Sequence, residues 1–266
     1  MKSTTDFRIV SLVPSLTETL CHFGLIQSVV GCTSFCVEPK ELRHTAPSVG
    51  GTKDARIDDI LKLHPTHIVV NREENTQELL NTLKDLSGQM SFKVVETFLE
   101  TPQDNFALVE LLGRTFNFEV AAQCWISEQQ GRLSELSQIS AASQSFQFVY
   151  FIWMNPWMVA GQRTYISNTL ALIHGANVIQ TGNALAERYP AIEPEDERLK
   201  NADVFLFSSE PFPFKNRHLD EFRRQSENFR PQLKVDGQAL SWYGSRFAHT
   251  LNYLGSLHAE IQKSLG

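Results

Sequence analysis

The sequence predicts an α/β fold of two lobes with mostly parallel sheets, joined by one long backbone helix. Apolar, strand-like runs alternate with helical patterns along the chain, and this alternation is typical of parallel sheets. The 266 residues are enough for two lobes of about 110 to 120 residues each. A weak internal repeat relates IDDILKLHPTHIVV, which starts at Ile57, to EPEDERLKNADVFLFS, which starts at Glu193. We therefore predict an N-terminal lobe over residues 1–116 and a C-terminal lobe over residues 144–266.

The segment between the lobes, residues 117–143, is the predicted linking helix. Asn117 is a candidate N-cap, and Glu119 places negative charge in the first turn, where the helix dipole favours it. Apolar residues then recur at helical spacing: Ala122, Trp125, Ile126, Leu133, Leu136 and Ile139. At about 1.5 Å per residue, roughly 25 residues give a rod of about 37 Å. The alternative is that this helix packs on a single large sheet.

In the N-terminal lobe we predict strands where short apolar runs end at proline, glycine or polar residues. They span Arg8–Val13, Val29–Thr33, His67–Val70 and Phe92–Thr97. Helices are predicted where apolar residues follow the helical period, and Gly24 ends the first of them. They span Leu16–Phe23, Ile57–Leu63, Thr76–Leu86 and Pro102–Phe116.

The C-terminal lobe repeats this alternation. Its predicted strands are Phe146–Trp153, Asn177–Gln180, Val204–Ser208 and Leu233–Val235. Its predicted helices are Tyr165–His174, Glu195–Leu199, Lys215–Gln225 and Ser245–Leu265. Ligands of open parallel sheets bind outside the carboxyl ends of the strands. We therefore expect a ligand cleft between the lobes.

Composition and motifs argue against several classes of protein. The net charge of −6 comes with no basic stripe, which disfavours non-specific nucleic-acid binding. No apolar run approaches the roughly 18 residues of a membrane span. The start, MKSTTDF, has no apolar signal core, so we expect a periplasmic protein if an export signal was removed, and otherwise a cytoplasmic one. Nucleotide-binding, serine-hydrolase and zinc-protease motifs are missing from the sequence, and nothing in it calls for an enzyme.

The cysteines give weak support for a metal site. Cys32 and Cys36 are separated by three residues, and no second pair of this kind accompanies them. A zinc site would need a partner pair or histidines at fixed spacing. Buried thiols are therefore the favoured interpretation.

The loops that follow the predicted strands concentrate aromatic residues, glycines and single polar groups. Glycines allow the backbone to approach a ligand closely, and prolines stiffen the loops. Rigid loops with flat aromatic rings suit a bulky, partly apolar ligand, because little entropy is lost on binding. The alternative is that Trp153 and Trp157 belong to the core and that Phe212 and Phe214 cap the sheet.

Three segments, RIVSLVPSLTETL, VGGTKDARIDDILKLHPTHIVV and GANVI, resemble the class III substrate-binding proteins of ABC importers, the helical-backbone receptors for metal chelates. The resemblance extends from about Arg8 to Leu257. It implies a monomeric solute-binding protein that delivers a metal chelate to an ABC permease and is not an enzyme. The expected ligand is cobalamin or another corrinoid, and a ferric siderophore or haem is the alternative. No cofactor and no resident metal ligand are expected.

The resemblance also implies roles for individual residues. The ligand-binding positions carried over are Phe35, Gly51, Arg72, Trp153, Trp157, Tyr189, Trp242, Tyr243 and Arg246. One acidic residue in each lobe, Asp58 and Glu195, would dock onto arginines of the permease. Asp58 stands where the family has glutamate, so its side chain is one methylene shorter.

Two other functions stay open at this point. One is an enzyme on a related two-lobe frame that holds a metal cluster, for which Cys32 and Cys36 are the candidate ligands. The other is a cytoplasmic sensor or chaperone for a metal chelate, which would need neither Asp58 nor Glu195 for docking.

Overall fold

The chain divides into two units, each built around its own sheet. A computed structural model describes residues 7–140, 144–182 and 184–266. Unit 1 contains the residues up to Leu99 together with Gln103–Ser127 and Tyr243–Arg246. Unit 2 contains Glu100–Pro102, Glu128–Trp242 and Phe247–Gly266. The segment Tyr243–Arg246, which the sequence placed in the C-terminal lobe, therefore packs with unit 1.

The sheet of unit 1 is parallel, as the sequence predicted. Its strands are β1 (Ile9–Ser11), β2 (Val29–Cys32), β3 (His67–Asn71) and β4 (Lys93–Thr97). They follow the order β2-β1-β3-β4, and each neighbouring pair runs parallel. Every residue of β1 and β3 is buried, because helices cover both faces of a parallel sheet.

The helices of unit 1 are α1 (Pro14–His22), α2 (Ile57–Lys62), α3 (Gln77–Ser87) and α4 (Asp104–Phe116). Pro14 begins α1, where a missing N–H costs nothing. The Thr76 side chain caps α3 by accepting from the Leu79 N–H. One core cluster between helices and sheet is mainly aliphatic: Val10, Leu12, Ile60, Ile68, Val70, Leu80 and Leu83 belong to it, and Phe92 is its buried aromatic residue.

The long helix is α5 (Glu119–Ser140). It begins two residues later than predicted, because Asn117 adopts a left-handed conformation with φ of 63° and ends α4 instead of capping α5. Ala122, Trp125, Ile126 and Leu136 are buried as expected, whereas Ile139 is 71% exposed. Predicted helix residues 141–143 lie outside the described part of the chain.

The sheet of unit 2 combines parallel and antiparallel pairs. Its strands are β5 (Phe146–Trp153), β6 (Trp157–Ala160), β7 (Gly175–Asn177), β8 (Ala191–Ile192), β9 (Val204–Ser208) and β10 (Gln232–Val235). The order is β10-β9-β5-β6-β8, and β7 also pairs with β5. β6 and β8 are antiparallel to their neighbours, while β7, β9 and β10 form parallel pairs. The antiparallel strands were missed because each is short and lies next to a proline, Pro156 or Pro190.

The helices of unit 2 are α6 (Tyr165–Ala171), α7 (Asn216–Ser226), α8 (Gly237–Ser241) and α9 (Phe247–Leu265). Its core is aromatic. The Phe151 ring stacks on Phe207 with centroids 4.5 Å apart, and the Phe222 ring meets Phe151 edge-on at 4.6 Å. Such pairs contribute about 0.5–1.5 kcal/mol beyond the burial of their area.

The two copies of the predicted repeat adopt similar structures. In unit 1, the short helix α2 leads into the buried strand β3. In unit 2, a 3₁₀ turn over Glu197–Asn201 leads into the buried strand β9. Residues 7–140, 144–182 and 184–266 contain no helix with the length and apolarity needed to cross a bilayer.

Candidate ligand-binding site

The loop that follows β2 brings two predicted site residues together. The Phe35 side chain is 59% exposed. A Cβ atom at Gly51 would lie 3.1 Å from Cε2 of Phe35 and 2.3 Å from Oδ1 of Asp54, so a larger residue would force the Asp54 side chain to move. The Gly51 N–H donates to that same oxygen of Asp54 at 2.8 Å. The loop therefore presents an aromatic face supported by a close-packed glycine turn.

Arg72 lies at the carboxyl edge of the same sheet. It follows β3, and its Nε donates to Oε1 of Glu96 at 3.1 Å. Its guanidinium also lies 5.1 Å from the centroid of the Phe98 ring. These two neighbours orient the side chain, which remains 50% exposed. An oriented and half-exposed guanidinium can donate to a carboxylate, phosphate or amide oxygen of a ligand.

The segment Tyr243–Arg246 is held against α1 and α4 of unit 1. The Gly244 N–H donates to Oδ1 of Asn105 at 2.6 Å, and the Ser245 N–H donates to Oγ1 of Thr19 at 3.0 Å. Gly244 has φ of +77°, and a Cβ atom there would lie 2.0 Å from the Thr19 hydroxyl oxygen. Glycine is therefore required at this position.

Arg246 and Tyr243 are less available than the sequence suggested. Nε of Arg246 donates to Oε2 of Glu18 at 3.0 Å, and the two side chains are 17% and 23% exposed. Tyr243 is 5% exposed. A ligand contact through either residue stays a prediction, and the Glu18 carboxylate already balances the charge of Arg246.

In unit 2, the two tryptophans of the FIWMNPWMVAG segment have different environments. Trp157 is 6% exposed, stacks on Phe214 at 6.1 Å and donates from Nε1 to Gln225 at 2.8 Å. The structure thus places Trp157 in the core, as the alternative interpretation held. Trp153 is 41% exposed and meets Phe212 edge-on at 5.6 Å. Of the two, Trp153 is the one that can contact a ligand without repacking the core.

A cavity of about 600 Å³ opens at the carboxyl ends of β9 and β10. Its lining residues are Ser209, Glu210, Phe214, Lys234, Val235, Asp236 and Gln238. Two carboxylates and one ammonium group line this space, so the cavity is polar and its net charge is negative. The size falls within the range of small-molecule sites, roughly 300 to 1,000 Å³.

The predicted residue Trp242 is linked to this cavity through Glu210. Its indole Nε1 donates to Oε1 of Glu210 at 2.6 Å. Asp236 is fixed as well, because its Oδ1 accepts from the Ala239 N–H at 3.1 Å and caps α8. Tyr189, also predicted, is half-buried next to the buried Arg188, which pairs with Glu100.

Sequence reasoning missed the cavity residues Ser209, Lys234, Asp236 and Gln238. The signal was present in the sequence, since Ser209 and Asp236 are the first residues after the parallel strands β9 and β10, which end at Ser208 and Val235. Polar residues in that position mark the ligand-binding edge of a parallel sheet.

The predicted docking residues Asp58 and Glu195 are both exposed, and each lies at the start of one copy of the repeat. In each copy a neighbouring carboxylate is engaged by basic side chains. Hydrogen bonds from Arg56 and Lys62 hold the pKa of Asp59 below its usual value. The Arg198 guanidinium does the same to the pKa of Asp196. Asp58 and Glu195 are thus exposed carboxylates, and in the second copy Glu193 and Glu197 are exposed as well.

The described ranges 7–140, 144–182 and 184–266 contain no group of three or more histidine, cysteine, aspartate or glutamate side chains arranged to hold an ion. Cys32 and Cys36 are adjacent but form only a pair, so a protein-ligated cluster there would need further ligands.

Known proteins share this fold over nearly the whole chain. The crystal structure of the periplasmic vitamin B12 binding protein BtuF of Vibrio cholerae has a TM-score of 0.77 at 19% identity and covers 97% of both chains. A periplasmic haem-binding protein from Pseudomonas aeruginosa has a TM-score of 0.79 at 19% identity and covers 97% of this chain and 93% of that one. These likenesses confirm the predicted α/β fold.

The sequence itself matches one relative and one family. The relative is the uncharacterized ABC transporter substrate-binding lipoprotein YvrC of Bacillus subtilis (strain 168), 23% identical over 181 residues. The match covers 66% of this chain and 57% of that relative, so this chain spans just over half the relative's length. The profile of the periplasmic binding protein family matches residues 9–227. Its members are substrate-binding proteins of transport and not enzymes, and this chain belongs to the periplasmic binding protein family.

Proposed function

We propose that this protein is the substrate-binding component of an ABC importer for a metal chelate, with cobalamin or another corrinoid as the first candidate. The family match over residues 9–227 carries the proposal. It is supported by two exposed aromatic side chains, Phe35 on the loop that follows β2 and Trp153 at the carboxyl end of β5. Flat, partly apolar macrocycles bind well to such faces, because a rigid aromatic side chain loses little conformational entropy when the ligand binds.

The acidic cavity of unit 2 favours a corrinoid over haem. The amide side chains of a corrinoid donate hydrogen bonds, and the carboxylates of Glu210 and Asp236 accept them. The two propionates of haem would instead meet like charge. Haem remains the second candidate because Arg72 offers a half-exposed guanidinium in unit 1 and the Pseudomonas aeruginosa neighbour is described as a haem-binding protein.

Titration of the purified protein with cyanocobalamin, haemin and a ferric siderophore tests this proposal. The readouts are intrinsic tryptophan fluorescence and isothermal calorimetry. We expect saturable binding of cyanocobalamin at one site per chain, and weaker or no binding of the other two. Binding of haemin alone would replace the corrinoid assignment, and failure of all three ligands would refute the metal-chelate function.

Aromatic substitutions locate the site. Phe35→Ala and Trp153→Ala should each raise the Kd about tenfold, equivalent to about 1.4 kcal/mol. Phe229→Ala is the matched control: Phe229 is 82% exposed but precedes β10 and so lies toward the amino edge of its sheet. If Phe229→Ala weakens binding as strongly as Phe35→Ala, the ligand does not bind at the carboxyl edges.

We also propose that Asp58 and Glu195 dock onto basic residues of a permease outside the cytoplasmic membrane. Uptake of radiolabelled cobalamin by cells with the native transporter should fall with Asp58→Lys and Glu195→Lys, while the Kd for cobalamin stays unchanged. Asp85→Lys is the control, because Asp85 is an exposed carboxylate on α3. Normal uptake in both variants would favour a sensor or chaperone, as would a cytoplasmic location in cell fractionation.

A further inference from the structure

Two cysteines of unit 1 lie at the ends of one short loop. Cys32 ends β2, and the Cys36 N–H donates to the Thr33 carbonyl at 3.1 Å, which turns the chain back on itself. Both side chains are 4% exposed. The turn brings the Cys32 thiol within hydrogen-bonding reach of the Cys36 sulfur.

The Cys36 sulfur is surrounded by hydrogen-bonding groups. The hydroxyl oxygens of Thr17 and Thr33 each lie 3.2 Å from it. The backbone N–H of Thr33 and the Cys32 thiol are also directed at it. Hydrogen bonds donated by the Thr33 N–H and the Cys32 thiol stabilise this sulfur as the thiolate, the form that reacts with oxidants.

The thiols of this region therefore differ in acidity. The hydrogen bond from Cys32 lowers the pKa of Cys36, and the same bond together with burial raises the pKa of Cys32. Burial, with the charges of Cys36 and Glu18, raises the pKa of Cys21 to about 12. One reactive thiolate next to one protonated thiol is the arrangement of a nucleophilic and a resolving cysteine.

We propose that Cys32 and Cys36 form a reactive dithiol that hydroperoxides oxidise to an intramolecular disulfide. In the first step the Cys36 thiolate attacks one oxygen of hydrogen peroxide, the O–O bond breaks, and a sulfenic acid and hydroxide form. In the second step the Cys32 sulfur attacks the Cys36 sulfur and loses its proton, the S–O bond breaks, and water leaves. Two sulfur atoms are each oxidised by one electron, and the peroxide is reduced by two.

The surrounding backbone suits this reaction. The Cys32 N–H donates to the Pro47 carbonyl at 3.2 Å, and the Cys32 carbonyl accepts from Val49 at 2.9 Å, so the resolving cysteine is fixed on both sides. Phe35 lies between the two cysteines in the chain, so a disulfide would restrict the loop that presents this ring.

Peptide mapping of the full-length native chain tests the proposal. The protein is treated with hydrogen peroxide, unfolded in acid, and its remaining thiols are labelled with a maleimide. Chymotryptic cleavage after Phe23 and Phe35 separates Cys21, Cys32 and Cys36 into three peptides. We expect two of the four thiols to be lost and the Cys32 and Cys36 peptides to be joined until a reductant is added.

Two variants and one control sharpen the result. Cys32→Ser should stop the reaction at a sulfenic acid on Cys36 that dimedone traps, and Cys36→Ser should leave Cys32 unmodified. Cys124→Ser, which removes an exposed thiol on α5, should behave like the wild type. The proposal is overturned if Cys32 and Cys36 of the wild type remain labelled after peroxide treatment, or if the disulfide joins Cys21 to Cys36. The wild-type map decides the outcome even if a variant fails to fold.

Discussion

Unit 1 and unit 2 share a strand plan but fill their cores with different side chains. In each unit one strand, β1 or β5, lies between two parallel neighbours, β2 and β3 in unit 1 and β7 and β9 in unit 2. A further parallel strand, β4 or β10, then extends the sheet. The core cluster of unit 1 that contains Val10, Ile68 and Leu80 is mainly aliphatic, whereas the cluster of unit 2 packs phenylalanine rings and Trp157 against one another.

This difference shows how aromatic residues near strand ends should be interpreted. Phe214 lies in a loop of unit 2 and Trp157 begins β6, yet both are 6% exposed because their rings pack into its core. In unit 1, the aliphatic cluster does not include Phe35, which remains on the surface. An aromatic residue in a loop therefore indicates a ligand site more strongly when the core beside it is aliphatic.

The largest expected effect comes from the tryptophans of unit 2. Trp157→Ala should lower the free energy of unfolding by about 3–5 kcal/mol, because it removes a buried ring and leaves a cavity. Trp153→Ala should lower it by less than about 1 kcal/mol, since that ring is 41% exposed. Urea denaturation followed by circular dichroism measures both. Equal effects of the two substitutions would show that Trp157 is not a core residue.

Helix capping gives the next contrast between the units. Thr164 caps α6 and is fully buried; its hydroxyl accepts from the Ser167 N–H and donates to the Gly161 carbonyl at 2.8 Å. Thr76 caps the exposed start of α3 with a single bond of 3.3 Å. Thr164→Ala should therefore lower the free energy of unfolding by about 2 kcal/mol, and Thr76→Ala should lower it by about 1 kcal/mol. Urea denaturation midpoints measure this difference, provided that the slope of the free energy against urea concentration is unchanged. A larger loss of stability for Thr76→Ala than for Thr164→Ala would contradict the view that burial sets the strength of the cap.

The smallest expected effect concerns the acidic residues of the repeat. The pKa of Asp196 is held below its usual value by Arg198, so its ionised form stabilises the fold. That contribution is present above about pH 4, the usual carboxyl value, and disappears as the pH falls through the lower pKa of the folded state. Asp196→Asn, which can still cap the following turn, should cost less than about 1 kcal/mol at pH 7.

Urea midpoints at pH 7, 5 and 3 check this dependence. The difference between wild type and Asp196→Asn should be similar at pH 7 and 5 and smaller at pH 3. In unit 1, the difference in urea midpoint between wild type and Asp59→Asn should disappear in high salt, because the ion pairs of Asp59 with Arg56 and Lys62 are exposed to solvent. A difference for Asp196→Asn that grows toward pH 3 would mean that Arg198 does not stabilise this carboxylate.

Much of the fold could be predicted because its main signals are local. The bounds of β5 and β9 match the prediction, since each is a continuous apolar run limited by polar or turn residues. Asn117 was misassigned because the same residue type favours an N-cap and a left-handed C-cap, and only the packing of two successive helices decides between them.

The candidate site was less predictable because its geometry depends on distant partners. The proximity of Phe35 and Gly51 follows from loops that meet at one sheet edge, which the strand pattern anticipates. The pairing of Arg246 with Glu18, 228 positions away in the chain, leaves no trace in local spacing. Trp153 and Trp157 are equally apolar in the sequence, and only the position of the neighbouring rings separates them.

The placement of Tyr243–Arg246 in unit 1 bears on how the protein is made. The Thr19 hydroxyl oxygen accepts a hydrogen bond from the Ser245 N–H, which lies 226 residues further along the chain. At about 5–20 residues per second, the ribosome supplies that partner roughly 10 to 45 s after Thr19 is synthesised. Unit 1 can therefore be completed only after Arg246 has been synthesised, and a fragment that stops at Trp242 would expose Thr19, Asn105 and Glu18 to solvent or to chaperones.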